Sequence, residues 1–199
     1  MSGILVRQAT AEDAEAMLEI YAWYVKNTAV TFEYDVPAPE EFRQRIGRVT
    51  ERYPWLAAEE DGRILGYAYA APFKDRTAYD WSVETTIYMD PGARRRGVGS
   101  LLYRALEHEL KKMGVLNLYA CIGVPEQEDE YLTFDSQRFH RRMGYRTVGE
   151  FRECGCKFGR WYHMIWMEKR LGDHRPDPAP IKPYPEAKKA SQIIKEENP

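Results

Sequence analysis

The chain has little of what would give it a covalent or metal framework. Its 199 residues include three cysteines, Cys121, Cys154 and Cys156, an odd count that excludes a disulfide scaffold, and reduced thiols are expected. Cys154-Gly-Cys156 is too close and too isolated for zinc, no other His/Cys/Asp cluster has ligand spacing, and no metal is expected. No stretch reaches the roughly 18 consecutive apolar residues of a membrane-spanning helix. The opening MSGILVRQAT lacks the apolar core of a signal peptide, so the expected compartment is the cytoplasm. A basic excess is missing too: 29 Lys and Arg against 31 Asp and Glu leave a net charge of −2, which argues against nucleic acid or a membrane surface as partner. No internal repeat is visible.

What is present suits one globular domain. Apolar residues make up 44% and charged residues 30%, ordinary for a folded chain, and a domain of this length buries about 70% of its unfolded surface without staples. The spacing predicts a strand at 4–7, then a helix capped by Thr10 with apolar residues at Ala14, Met17, Leu18, Tyr21 and Val25. Residues 28–34 read as extended chain or loop, and a second helix follows from Pro39 to Tyr53. Two β-rich runs, 55–59 and 63–70, flank an Asp-Gly hairpin signal. Further expectations are a strand at 82–89, a helix at 97–113, a strand at 115–123, a helix at 136–143, and strands at 147–153 and 162–169. The order β-α-α-β-β-β-α-β-α-β-β gives an α/β fold on one mixed sheet, over residues 1–171. From Gly172 on, six of the twelve prolines and few core-forming residues predict a tail, 172–199, extended and docked or else disordered.

The chemistry concentrates in Ile87 to Leu106, IYMDPGARRRGVGSLLYRAL. A helix N-terminus offers free N–H groups and a positive dipole end. Gly97 and Gly99 let an anion approach bare backbone, and Arg94, Arg95 and Arg96 add charge-assisted bonds. The ligand this favours is a phosphate or pyrophosphate. The pattern is neither a P-loop nor a GxGxxG dinucleotide turn. Alone it is weak, since a glycine turn with a solvated basic rim has the same six residues.

In context, Arg94-Arg-Arg-Gly97-Val-Gly99 between the strand SVETTIYM and an amphipathic helix resembles the coenzyme A pyrophosphate loop of the GNAT N-acetyltransferase superfamily. Over residues 4 to about 171, RYPWLAAEEDGRILGYAYAAPFKDRTAYDWSVETTIYM, CIGVP, RFHRRMGY and CKFGRWYHMIWM look like its phosphinothricin and methionine-sulfone acetyltransferase branch. The resemblance implies a single-domain fold whose mixed sheet, flanked by helices, has a splayed strand pair holding acetyl-coenzyme A. It also implies a homodimer and a small-molecule amine substrate. Backbone groups of Ile87, Tyr88 and Met89 would pair with the pantetheine arm, those of Arg95 to Ser100, Val98 included, would wrap the pyrophosphate, and the Met89 N–H would face the oxyanion.

Two catalytic candidates follow. Glu84 is a carboxylate in an apolar strand, where partial burial would raise its pKa and suit a base; strand alternation equally allows a surface-facing glutamate. His140, in RFHRRMGY, stands where many relatives carry an acidic tyrosine, and an ordinary histidine leaves both proton directions open; a packing or capping histidine is the other reading. Tyr145 is a reserve acid. For the acceptor, Arg76 would face a carboxylate, Phe32 and Tyr34 would wall the side-chain pocket, and Tyr79 and Trp81 would border it. Each of these also reads as an ordinary surface or core residue.

The chain departs from the branch after Pro125. The insertion EQEDEYLTFDSQ puts Glu126 where relatives have an asparagine that helps bind coenzyme A. Its acidic residues favour a cationic acceptor electrostatically if they face the cleft. The expected activity is acetylation of the α-amine of a small amino acid or analogue. The alternatives are a relative acting on a polyamine, aminoglycoside or protein N-terminus, and a non-catalytic coenzyme A sensor.

Overall fold

The computed structural model describes residues 3–188. Seven strands form one sheet in the order β1-β2-β3-β4-β5-β7-β6: β1 Leu5–Gln8, β2 Trp55–Glu60, β3 Arg63–Pro72, β4 Ser82–Met89, β5 Asn117–Val124, β6 Arg146–Lys157 and β7 Arg160–Arg170. Four helices matter for the site: α1 Ala14–Asn27, α2 Pro39–Thr50, α3 Val98–Met113 and α4 Asp135–Arg142. All neighbouring strands are antiparallel except β4 and β5, which run parallel. Residues 28–34 form the loop after α1.

Local chemistry sets the boundaries. The Asp13 carboxylate accepts from the Thr10 N–H at 2.7 Å and from both Arg7 terminal nitrogens at 2.7 Å, which fixes the start of the first helical turn and holds that carboxyl below its usual range. Asp61 and Gly62 both have positive φ, 50° and 78°, the two-residue hairpin geometry that an Asp-Gly pair favours. β6 runs longer than the 147–153 expected. It carries two register breaks, so its side chains do not keep strict alternation.

Two cores lie on opposite faces of the sheet. Val83 and Ile87 of β4 pack with Leu102, Leu106 and Leu110 of α3. Tyr88 packs with Met17, Tyr21, Tyr24 and Phe42 of the α1–α2 layer. Side chains of a strand alternate between faces, so Glu84 and Thr86 share the α1–α2 face with Tyr88, and Thr85 faces α3. No helix among the described residues is long and apolar enough to cross a membrane.

The tail is docked as far as residue 188; residues 189–199 lie outside the described residues. The Ala179 carbonyl accepts from Trp81 Nε1 at 2.8 Å. Lys182 N–H donates to the Met113 carbonyl and Tyr184 N–H to the Arg52 carbonyl, at 2.8 and 2.9 Å. Tyr184 and Ala187 are buried within the α3-side core. Few apolar residues suffice here because the backbone is anchored at several points. The indole N–H of Trp81, a residue expected to border the acceptor site, is thereby engaged by the tail. Y184A should lower unfolding free energy by about 2–3 kcal/mol, read from the urea midpoint, because a fully enclosed aromatic ring is lost.

Candidate active site

The site begins where two strands part. β4 and β5 are paired only at Ser82↔Asn117, Val83↔Leu118 and Glu84↔Tyr119. Beyond that, a cleft opens between Thr85–Tyr88 and Ala120–Gly123, with Val30, Ser136 and His140 at its walls. Backbone groups alternate in direction along a strand. Ser82 O accepts from Phe73 N–H, one residue past β3, and Asp90 N–H donates to the Leu65 carbonyl of β3, so the even positions of β4 face β3 and the odd ones face the cleft. Ile87 therefore presents its N–H and C=O to the cleft, where β5 no longer pairs with β4. Tyr88 does not, because its backbone faces Tyr67 across the β3 ladder. Met89 is also occupied: its carbonyl accepts from the Tyr24 hydroxyl at 2.8 Å and its N–H donates to the same oxygen at 3.3 Å. Of the three residues expected to line the pantetheine arm with their backbones, only Ile87 is poised to do so. It is also the cleft-facing donor available in place of Met89.

The arginine-glycine loop is equally selective. Arg94 lies over the rings of Trp23 and Tyr24 at 5.0 and 5.2 Å. Arg96 is paired with both oxygens of Glu60 at 2.8 Å. Arg95, at φ 61°, has no side-chain partner among the described residues. Gly97 has φ 82° with open space where a Cβ would stand, and α3 starts at the next residue. Val98, buried, secures the helix to the core, while the amides of Val98, Gly99 and Ser100 in the first turn have no intrahelical acceptor. Gly99 faces Ile87 and Phe139, whose side chains come within 3.5 Å of where a Cβ would stand. The geometry suits an anion held by backbone amides and one free guanidinium, with Arg94 and Arg96 bracing the loop.

Glu84 sits at the last paired position before the strands part. Burial raises its pKa, partly offset by Lys74, whose ammonium lies 5.1 Å from the Phe73 ring centre and 5.9 Å from that of Trp166. A carboxylate so placed holds a proton more readily than an exposed one.

His140 is on the other face, 3% exposed. Its Nδ1 is 2.8 Å from the Ser136 carbonyl and its Nε2 is 2.7 Å from the Tyr103 hydroxyl. A carbonyl only accepts, so Nδ1 carries the proton and Nε2 accepts from Tyr103. Burial pushes the imidazole down to about 4. Enclosure disfavours the cation and both nitrogens have partners, an arrangement that fits the packing reading of this histidine better than an imidazole titrating near neutrality. The Thr85 hydroxyl lies 3.0 Å from the Tyr145 hydroxyl, 3.5 Å from that of Tyr103, and 3.1 Å from the Tyr119 carbonyl. Thr85, Tyr103, Tyr145 and His140 form one buried polar chain reaching the cleft wall. Tyr103 was not singled out from the sequence; its place in LLYRAL, on the apolar side of the helix, gives no sign of a polar partner.

The acceptor candidates fall into two groups. Phe32 stacks on Tyr162 at 6.5 Å, and the exposed Tyr34 donates to the Cys156 carbonyl. Tyr79 packs against Phe73, which stacks on Tyr119, and Arg76 is exposed in the same β3–β4 connection. No hydrogen bond, ion pair or ring contact joins the two groups among the described residues. The insertion is internally satisfied. Glu126 pairs with His163 at 2.7 Å, Glu128 with Arg138 at 2.8 Å, Glu130 with Arg160 at 2.8 Å, and Asp129 with Arg160 and the Tyr162 hydroxyl at 2.9 and 3.0 Å. Its carboxylates are held by Arg138, Arg160, the His163 ring and the Tyr162 hydroxyl instead of standing free toward a cationic acceptor. No group of three or more His, Cys, Asp or Glu suited to a metal occurs among the described residues.

Comparison with known proteins follows this geometry. The family model "Acetyltransferase (GNAT) domain" matches residues 6–166. The chain is 35% identical to a phosphinothricin N-acetyltransferase of Streptomyces viridochromogenes, over 89% of this chain and 93% of that protein. It is 28% identical to an L-methionine sulfoximine/L-methionine sulfone acetyltransferase of Salmonella typhimurium, over 85% and 95%. Among solved structures it is similar to a GNAT superfamily phosphinothricin acetyltransferase from Sinorhizobium meliloti in complex with AcCoA, with a TM-score of 0.80 and 31% identity, covering 91% of this chain and 98% of that one. A parted parallel strand pair, a helix N-terminus behind an arginine-glycine turn and a match over most of the chain lead to one conclusion: this protein belongs to the GNAT acetyltransferase family and is an N-acetyltransferase that uses acetyl-coenzyme A.

Proposed function

We propose that the protein acetylates the α-amine of a small amino acid analogue of the phosphinothricin, methionine sulfone or methionine sulfoximine type. The observation that carries this reading is the placement of Glu84 and the Thr85–Tyr145–Tyr103–His140 chain on opposite faces of β4, at the point where β5 leaves it. The acceptor enters on the Glu84 face, and the acetyl donor lies along the cleft. Arg95 and the amides of residues 95–100 hold the pyrophosphate, and Ile87 pairs with the pantetheine arm. Acetyl-coenzyme A supplies a thioester. Glu84 takes the proton of the acceptor ammonium, directly or through a water. The amine nitrogen bonds to the acetyl carbon while the Ile87 N–H faces the developing oxyanion, and the sulfur leaves toward the α3 face. There the departing thiolate takes the nitrogen's second proton, directly or through a water, while the Thr85–Tyr145 hydroxyl pair stays neutral as fixed dipoles and neutral His140 fixes the orientation of Tyr103. Arg76 faces the acceptor carboxylate, and Phe32, Tyr34 and Tyr79 bound its side chain.

The relatives named for phosphinothricin and methionine sulfone support the acceptor class. The commitment of Glu126, Glu128, Asp129 and Glu130 to internal pairs speaks against a polycation. We also propose a cytoplasmic homodimer joined through β6 and β7, where Val148, Phe151 and Trp161 are 47%, 53% and 62% exposed; exposed apolar groups of this size on an edge strand favour burial against a second surface.

Thiol release from acetyl-coenzyme A with a panel of these analogues, spermidine and an aminoglycoside tests the reading, and turnover of the polycations alone would refute it. E84Q should lower kcat/KM about 100-fold with acetyl-coenzyme A affinity unchanged by calorimetry. Because the base must be unprotonated and its pKa is raised, kcat/KM should fall with acid through a value above the ordinary glutamate range. His140 should contribute no step near neutrality, its NMR ring signals moving only below roughly pH 5. G97A should weaken acetyl-coenzyme A binding about tenfold, since a Cβ at a left-handed residue adds strain of the order of 1–2 kcal/mol and fills the space given to the phosphate.

A further inference from the structure

Lys157, at the end of β6, is 2% exposed, yet none of its hydrogen bonds or ion pairs is to a carboxylate among the described residues. Its ammonium donates to the carbonyls of Thr28 and Thr31 at 2.9 and 2.8 Å and lies 5.2 Å from the Phe158 ring centre. Enclosure lowers its pKa, and Glu33, the one acid that acts against this, is itself paired with Arg45 at 2.8 Å. Burying a cation without an anion is expensive, and a methionine would fill the same space at no such cost. An ammonium here has its rationale in the two carbonyls it joins.

Those carbonyls bracket Val30, whose side chain stands in the wall of the cleft with Thr86 and Gly123. The Val30 N–H is turned inward to Thr28 Oγ1 at 3.3 Å. The bulge is fixed from two further sides. Ala29 N–H donates to the Tyr131 carbonyl of the insertion at 3.0 Å. Phe32 lies so close over Gly155 that a Cβ there would come within 2.3 Å of its ring.

We propose that Lys157 is a positioning residue for the acceptor site: by joining the Thr28 and Thr31 carbonyls it sets how far Val30 and Phe32 project into the acceptor mouth, and so selects for a small acceptor side chain. This rests on the acceptor reading above. Lys157 touches neither substrate, and Val30 shares the cleft wall with Thr86, which lies on the Glu84 face where the acceptor enters.

K157M keeps the volume and removes both donors. It is expected to raise the acceptor KM about tenfold, the effect of about one lost buried hydrogen bond. Acetyl-coenzyme A affinity should stay within twofold, thermal stability should not fall, and hydrogen exchange should speed up at amides 28–34. V30A should reproduce most of the KM change, and V30A/K157M should add little to it. An acceptor KM within twofold of wild type, or a loss shared equally by acetyl-coenzyme A affinity, would overturn the proposal. Should K157M not fold, K157Q, which retains an amide donor, takes its place with an intermediate rise expected; failure of both to fold would make Lys157 a folding residue and refute the positioning role. The acceptor KM is read on whichever amine the wild type uses, so an error in the acceptor class leaves this test intact. If no amine turns over, exchange at 28–34 decides, and unchanged exchange in K157M refutes the positioning role.

Discussion

The parting of β4 from β5 after three residue pairs is the constraint on which the rest of the molecule depends. A sheet gains stability by satisfying every backbone donor and acceptor, and here two adjacent strands forgo that beyond Glu84 and Tyr119. β4 stays in place because β3 pairs with its whole length on one side. β5 stays because β7 does the same on the other. The antiparallel neighbours therefore carry the structure that the parallel pair gives up. The cleft is held open by two complete ladders, so its backbone groups point inward in a fixed array before any ligand arrives.

That array divides the chemistry by face. Glu84 belongs to a partly buried surface beside Lys74, where burial raises its pKa and the ammonium opposes the rise. Across the strand, His140 and its hydroxyl partners are enclosed so completely that only neutral forms persist. One face carries an ionisable carboxyl group, and the other keeps a network of dipoles. One strand supports both because consecutive residues, Glu84 and Thr85, point in opposite directions.

Much of the fold was legible in the sequence because hydrophobic period and turn chemistry are local. The Asp61-Gly62 hairpin, the SVETTIYM strand, the amphipathic α3 and the element order were all readable, and the arginine-glycine turn marked where α3 begins. What escaped was whatever depends on partners distant in sequence. Nothing near Met89 says that the Tyr24 hydroxyl, 65 positions away, occupies its backbone. Nothing in ARRRGVG says that two of its arginines are spent on Trp23 and Glu60. The acidic insertion looked like a cation trap until Arg138, Arg160 and His163 were placed beside it. Lys157, in a segment quoted for its resemblance alone, reads as an ordinary strand lysine until its two carbonyls, 126 and 129 positions away, come into view. In each case charge and polarity were evident from the residue, while the identity of the partner came only with the three-dimensional arrangement.

The unpaired edge at Ile87 has one more consequence. Exposed strand edges are where proteins stick to one another, since any extended chain can add a strand. Natural sheets blunt their outer edges with bulges, as β6 does here with its two register breaks. The adhesive edge of this molecule is of another kind, because it lies in the interior of the sheet with strands on both sides. A neighbouring protein cannot lay a strand along it without displacing β5, β7 and β6 together. A thin, flexible ligand can slide in from the open end. The protein thus keeps a strip of unsatisfied backbone ready for a slender partner while closing that strip to a neighbouring strand, and selectivity for ligand shape comes from the same cleft.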